Sequence, residues 1–127
     1  MPAQTPEQCD ELFGRYFNSR DLDNLVALYE AQASLGNEDG TAAHGTAAIR
    51  ETMQGYFTAL PEGKLTMNVV RVVRAGDDLA VLYNDWSWIG KAADGSASAM
   101  KHKAMEIVRR QSDGTWRFAV DDPYARG

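Results

Sequence analysis

Long apolar runs are missing from this chain, and so is a basic amino-terminal stretch leading into one. Neither a membrane span nor a signal peptide is predicted, and the cytoplasm is the expected compartment. A single cysteine, Cys9, excludes an internal disulfide. Basic residues are outnumbered: 13 Lys and Arg against 18 Asp and Glu leave a net charge of −5. That balance argues against nucleic acid or an anionic membrane as partner, because both attract basic patches. The two histidines, His44 and His102, and the aspartates show no metal-ligand spacing such as His-x-x-x-His. Glycine-rich phosphate loops are absent as well. No metal and no cofactor are expected.

What remains is the composition of an ordinary globular domain, 44% hydrophobic and 24% charged over 127 residues. That length suits one domain, 1–127, able to bury a core unaided by crosslinks. Thr5-Pro6-Glu7-Gln8 reads as a capped helix start. Cys9, Leu12, Phe13, Tyr16 and Phe17 then follow the spacing of one buried helical stripe. Asp21 is the cap of a second helix, with Leu22, Leu25, Val26 and Tyr29 as its stripe. A short strand is expected at 33–37, then a turn at Glu38-Asp39-Gly40. A third helix, capped by Thr46, carries Ile49, Met53, Tyr56, Phe57 and Leu60 and stops at Pro61-Glu62-Gly63. Four strands follow at 65–74, 79–89, 97–110 and 115–120, joined by short spacers rich in Asp-Gly that favour antiparallel hairpins.

The order α-α-β-α-β-β-β-β predicts an α+β fold: three helices in the amino-terminal half, cupped by a curved, mostly antiparallel sheet. The long strand at 97–110 has to bend with the twist of such a sheet. A curved sheet leaves space beneath the helices, and space of this type is apolar with a few polar groups. A small apolar molecule is the expected partner.

Several segments carry a family resemblance. Asp21-Leu22-Asp23-Asn24-Leu25-Val26-Ala27-Leu28-Tyr29 comes first, then His44-Gly45-Thr46-Ala47-Ala48-Ile49-Arg50 opening the third helix. Glu106-Ile107-Val108-Arg109-Arg110 follows, before Asp113-Gly114-Thr115-Trp116-Arg117. In order and spacing the chain resembles the nuclear transport factor 2-like superfamily, on the branch of ketosteroid isomerases and SnoaL-like polyketide cyclases. The resemblance implies a cystatin-like α+β roll, commonly dimeric, and a homodimer through the sheet face is expected. It does not imply one activity, because this fold hosts enzymes, binders and assembly domains. The steroid isomerases remove a proton with an aspartate and stabilise the enolate with a tyrosine and a protonated aspartate. Matched onto this chain, those positions fall on Asn37, Phe13 and Glu106. Asparagine takes no proton at neutral pH and phenylalanine donates no hydrogen bond, so that arrangement is not retained. Only Glu106 keeps a carboxyl group.

The catalytic candidates are Glu106, His102 and Asp121. Glu106 lies in an apolar strand, where it either faces the cavity with a raised pKa or pairs with a cross-strand Arg or Lys. His102, four residues earlier, shares that strand face and either titrates beside Glu106 or is solvated between Lys101 and Lys103. Alternation lets only one of Asp121 and Asp122 point inward, and Asp121 is the choice; otherwise both end the strand in water. Phe13, Phe17, Asn37, Met53, Tyr56, Trp86 and Trp88 are the expected pocket residues. Trp86 and Trp88 share a face, which is either a ligand wall or a dimer surface. His44 is assigned to holding its loop, and Cys9 to packing. Three readings remain: an enzyme moving protons on an apolar carbonyl compound by isomerisation, cyclisation or dehydration; a binder of an apolar metabolite; or an assembly domain.

Overall fold

The structure, a computed structural model, describes residues 2–126. Helix α1 spans Pro6–Asn18, where Thr5 accepts from the Gln8 N–H and Pro6 takes the first turn. Helix α2 spans Leu22–Val26 and is capped by Asp21, which accepts from the Asn24 N–H. It is little more than one turn long. Tyr29, assigned above to its stripe, instead opens strand β1, Tyr29–Gly36. Tertiary pairing overrides the helical spacing here: the Phe118 N–H donates to the Leu28 carbonyl, and Tyr29 registers against Phe118.

Strand β2, Ala42–His44, was not expected from sequence and folds back antiparallel on β1. In the turn between them Asp39 accepts from both the N–H and the hydroxyl of Thr41. The same Asp-Gly-Ser/Thr device closes the turns at Asp94 and Asp113. Helix α3, Thr46–Ala59, is capped by Gly45 rather than Thr46. The Gly45 N–H is already bound to the Ala33 carbonyl at 2.9 Å, so the helix begins where β1 anchors it and Thr46 becomes its first residue.

Strands β3 (Glu62–Ala75), β4 (Leu79–Lys91), β5 (Ala97–Arg110) and β6 (Trp116–Asp122) complete a six-stranded sheet in the order β2-β1-β6-β5-β4-β3. Only β1 and β6 run parallel. Register shifts insert Val70 on β3 and Ala119 on β6, and such bulges bend a sheet around what it covers. The α+β roll read from the sequence is the fold observed. The core fills the inner face, with Phe118, Leu35, Leu82, Ile49, Met53 and Val108 all buried.

Two side chains hold the helices over that face. Asn18, closing α1, donates to the Leu65 carbonyl at 2.9 Å and accepts from the Leu65 N–H at 2.8 Å, as a neighbouring strand would. Arg20 follows with φ 58°, a left-handed conformation uncommon for a residue with a Cβ. Its guanidinium donates to the Phe57 and Leu60 carbonyls at the end of α3 and lies 5.2 Å from the Phe57 ring centroid. It thereby satisfies carbonyls that the helix leaves without partners.

Gly63 and Gly90 face each other where β3 and β4 begin and end. A Cβ on Gly90 would stand 2.1 Å from the Glu62 carbonyl oxygen. Gly90→Ala is therefore expected to lower stability by roughly 1–3 kcal/mol through overpacking. Gly14→Ala, on α1 with no atom within 4 Å of the added methyl, is expected to raise it by roughly 0.5–1 kcal/mol. Urea unfolding midpoints of the two variants against the parent check both signs.

Candidate functional site

The register of the sheet decides which polar side chains meet. Leu35, Asp121, Glu106 and Leu82 form one row across β1, β6, β5 and β4. Directly paired residues share a face, so Glu106 and Asp121 stand side by side on the inner face. Asn84, two residues along β4 from Leu82, lies on the same face. Both carboxyls and Asn84 are buried. Alternation therefore favours Asp121, as expected, and leaves Asp122 only partly buried.

These groups line a cavity of about 70 Å³ between the sheet, α1 and α3. Phe13 and Phe17 from α1 and Met53 and Tyr56 from α3 form its roof, and Trp86 and Trp88 its wall. Each was a pocket candidate, and the two tryptophans are turned inward rather than toward a dimer surface. Met67 and Met100 add adaptable side chains. No Lys, Arg or His lines the cavity among the described residues.

Asn37 and His102 are placed elsewhere. Strand β1 ends at Gly36, and Asn37 turns away to bond Thr41 through its backbone N–H and its side-chain amide. It lines an open groove of about 550 Å³ outside the cavity, together with Glu38 and Asp39. His102 does share the face of Glu106, but Trp86 and Tyr124 pack over it at 5.0 and 4.8 Å between ring centroids. Its Nε2 turns to Glu38 at 3.7 Å. It therefore belongs to the rim and not to the cavity wall. Tyr56, Leu60, Met100 and Tyr124 line both spaces, and the Tyr56 and Tyr124 hydroxyls bond at 2.9 Å where cavity and groove meet. His44 bonds Ser34 across β1 and β2 through Nδ1 at 2.9 Å, which suits its assigned loop-holding role.

Burial dominates the electrostatics. It raises Asp121 to about 7, aided by the charges of Asp10 and Asp122 and opposed by a hydrogen bond from the Tyr29 hydroxyl to Oδ2. Glu106 is pushed well above the usual carboxylate range, first by burial and then by Asp10, its charge ahead of its hydrogen bond, and by Asp121. Asn84 Nδ2 donates to Glu106 Oε2 at 2.6 Å and pulls the other way. The expected alternative partner, a cross-strand Arg or Lys, is not there. Burial also pushes the Cys9 thiol up, so Cys9 packs as an uncharged group.

Sequence reading missed Asp10 and Tyr29. Asp10 is 1% exposed, beside Glu106 and Asn84, and burial raises it to about 6. A signal existed: Asp10 sits at i, i+3, i+7 with Phe13 and Phe17, a polar residue on the apolar stripe. Tyr29 had none, because its role depends on leaving the helix for β1. No group of three or more His, Cys, Asp or Glu among the described residues is placed to hold a metal ion. No helix among them is long and apolar enough to cross a membrane.

The profile of the SnoaL-like domain matches residues 11–119. The fold is similar to that of a ketosteroid isomerase-like protein from Erwinia carotovora atroseptica SCRI1043, at 18% identity and a TM-score of 0.80 over 91% of this chain and 89% of that one. It is similar to a putative scytalone dehydratase from Novosphingobium aromaticivorans DSM 12444, at 14% identity and a TM-score of 0.81 over 91% and 78%. A hexachlorocyclohexane dehydrochlorinase, LinA type 2, shares 13% identity with a TM-score of 0.82 over 91% and 79%. A comparison with curated proteins finds no match. At these identities the structural likenesses establish the fold alone, while the profile match covers most of the sequence. The chain belongs to the SnoaL-like domain family.

Proposed function

We propose that this protein is an enzyme that moves a proton on a small, largely apolar carbonyl compound held in the cavity. One observation carries the reading: Glu106 and Asp121, paired across β5 and β6, both open on an apolar cavity with proton affinities raised to different extents. Two carboxyls pushed apart in this way divide the roles of acid and base. Asp121, close to half ionised at neutral pH, takes a proton from the carbon next to the carbonyl. The electron pair of that C–H bond moves toward the carbonyl oxygen, and the neutral Glu106 O–H donates a hydrogen bond to the oxygen as its charge grows. Returning the proton at another carbon isomerises the compound; losing a group from the neighbouring carbon completes an elimination. Similar folds named for an isomerase, a dehydratase and a dehydrochlorinase support an enzyme over a simple binder. His102, by contrast, serves the rim in this reading, where it packs Tyr124 and Trp86 over the opening.

A homodimer through the outer sheet face is part of the proposal. Val70, Val73, Ile89 and Val120 are exposed large apolar side chains on its strands, with Ile89 70% exposed. Ile89→Lys is expected to shift the sedimentation coefficient of a dimer toward that of a monomer; an unchanged dimer would place the contact elsewhere.

Exchange of α-protons for deuterium, followed by NMR over a panel of small apolar ketones, tests the chemistry. Asp121→Asn is expected to slow exchange by roughly 10²–10⁴-fold while leaving ketone binding in place. Exchange no faster than buffer for every ketone, with binding retained, would leave a non-catalytic binder. The rate is expected to rise with pH through about 7 as Asp121 ionises and to fall at higher pH as Glu106 loses its proton.

Stability carries the same signature. Asp10 and Asp121 move from 3.8 to about 6 and about 7, so the folded chain keeps protons that the unfolded chain releases. Their contribution is complete below about pH 4 and is lost as pH rises through their folded values. Asp39, Asp94 and Asp113, held low first by hydrogen bonds from hydroxyls, act in the opposite direction and only as pH falls below about 4. Urea unfolding is expected to show greater stability at about pH 5 than at about pH 8, by on the order of 2 kcal/mol, and Asp121→Asn is expected to flatten the difference.

A further inference from the structure

Asp10 has no part in the reaction outlined above. It does not line the cavity, yet it lies buried on α1 behind the pocket carboxyl of Glu106. Neither of its carboxyl oxygens has a hydrogen-bond partner of ordinary geometry among the described residues, and Glu106 Oε1 has none either. Glu106 Oε2 is occupied by the Asn84 amide, so Oε1 is the oxygen left to carry a proton. Among the described residues the surroundings offer no cation. Facing the pair are Cys9 on α1, Tyr29 on β1, Asn84 on β4 and Asp121 on β6, none of them basic. The arginines of the ion pairs Arg74–Glu7 and Arg109–Glu30 lie at half-exposed surface positions. Two ionised carboxylates cannot be kept together in a dry, cation-free setting; one of them has to hold a proton.

We propose that Asp10 is a positioning residue: it and Glu106 hold one proton between them, so that Glu106 stands protonated at the cavity wall when a carbonyl compound arrives. Glu106 is the member that carries it, because it pairs directly with Asp121 across the strands and has Asp10 behind it, so that burial and both charges raise its proton affinity, whereas burial alone raises that of Asp10. In the empty cavity the proton points from Oε1 toward the Asp10 carboxylate. When a carbonyl oxygen enters, the O–H turns about its own C–O bond toward the ligand. The Asn84 amide keeps its hydrogen bond to Glu106 Oε2 throughout. Only hydrogen bonds are exchanged. The role assigned to the proton rests on the reading of Glu106 as donor to a carbonyl; the shared proton itself does not.

Carboxyl-selective ¹³C NMR titration of the free protein reads both groups without any substrate. In the parent, Glu106 is expected to be protonated and Asp10 ionised at about pH 7, and the Glu106 signal to respond while Asp10 titrates. Asp10→Asn, nearly isosteric, is expected to lower the Glu106 midpoint by roughly one unit or more, because a neighbouring like charge is removed. In turnover, the alkaline limb of the rate profile is expected to move down by the same interval. A Glu106 already ionised at about pH 7 in the parent overturns the proposal even where the variant fails to fold. An unmoved Glu106 midpoint in a folded Asp10→Asn, judged by circular dichroism, overturns it as well and leaves Asp10 a packing residue. If the titration behaves as expected and no ketone exchanges, the carbonyl reading fails and the shared proton stands.

Discussion

Three carboxyl groups, those of Asp10, Glu106 and Asp121, lie inside this small domain with no basic side chain beside them among the described residues. Ordinarily such groups are paired or solvated, since an isolated buried charge is costly. Here the neutralising agent is the proton. That constraint shapes what surrounds it: Tyr29 gives its hydroxyl to Asp121, Asn84 gives its amide to Glu106, and α1 closes the cluster from above. The apolar cavity follows from the same arrangement, because aromatic and methionine side chains fill the rest of the inner face and keep water from restoring ordinary proton affinities.

The cluster survives because its backbone is held from several sides. β5 and β6 pair Glu106 with Asp121 directly, and β4 brings Asn84 into the next inward row. α1 is fixed at one end by the Thr5 cap and at the other by the Asn18 side chain on β3. Arg20 ties the link after α1 to the last turn of α3, which keeps the roof of the cavity in register with its floor. Tyr56 and Tyr124, with Trp86 bound to the Pro123 carbonyl, close the opening at the other end. The rim, the carboxyl pair and the helical roof thus come from separate parts of the chain.

Much of the fold was legible because helix stripes, caps and Asp-Gly turns are local signals. The Thr5 and Asp21 caps, the three helices and the four long strands all stand where spacing puts them. The departures have identifiable causes. Tyr29 fits a helical stripe by spacing, yet pairing with β6 draws it into a strand. Gly45 displaces Thr46 as a cap because the Ala33 carbonyl claims its N–H. Asn37 was matched to a pocket position one residue past the point where β1 ends. For Tyr29 and Gly45 a partner farther along the chain decided a local question, and for Asn37 the turn closed by Thr41 did.

By itself, the sequence determined the class of fold, which residues of each strand share a face, and the separate candidacy of Glu106, His102 and Asp121 as acid–base groups. Periodicity and alternation are enough for that, since they record which residues share a face. Only the tertiary structure decided that those two carboxyls are adjacent, that Asp10 stands behind them, and that His102 is spent on the rim. Proton affinity depends on distance and burial among groups up to 111 residues apart in the chain, from Asp10 to Asp121. No local pattern encodes that separation in space.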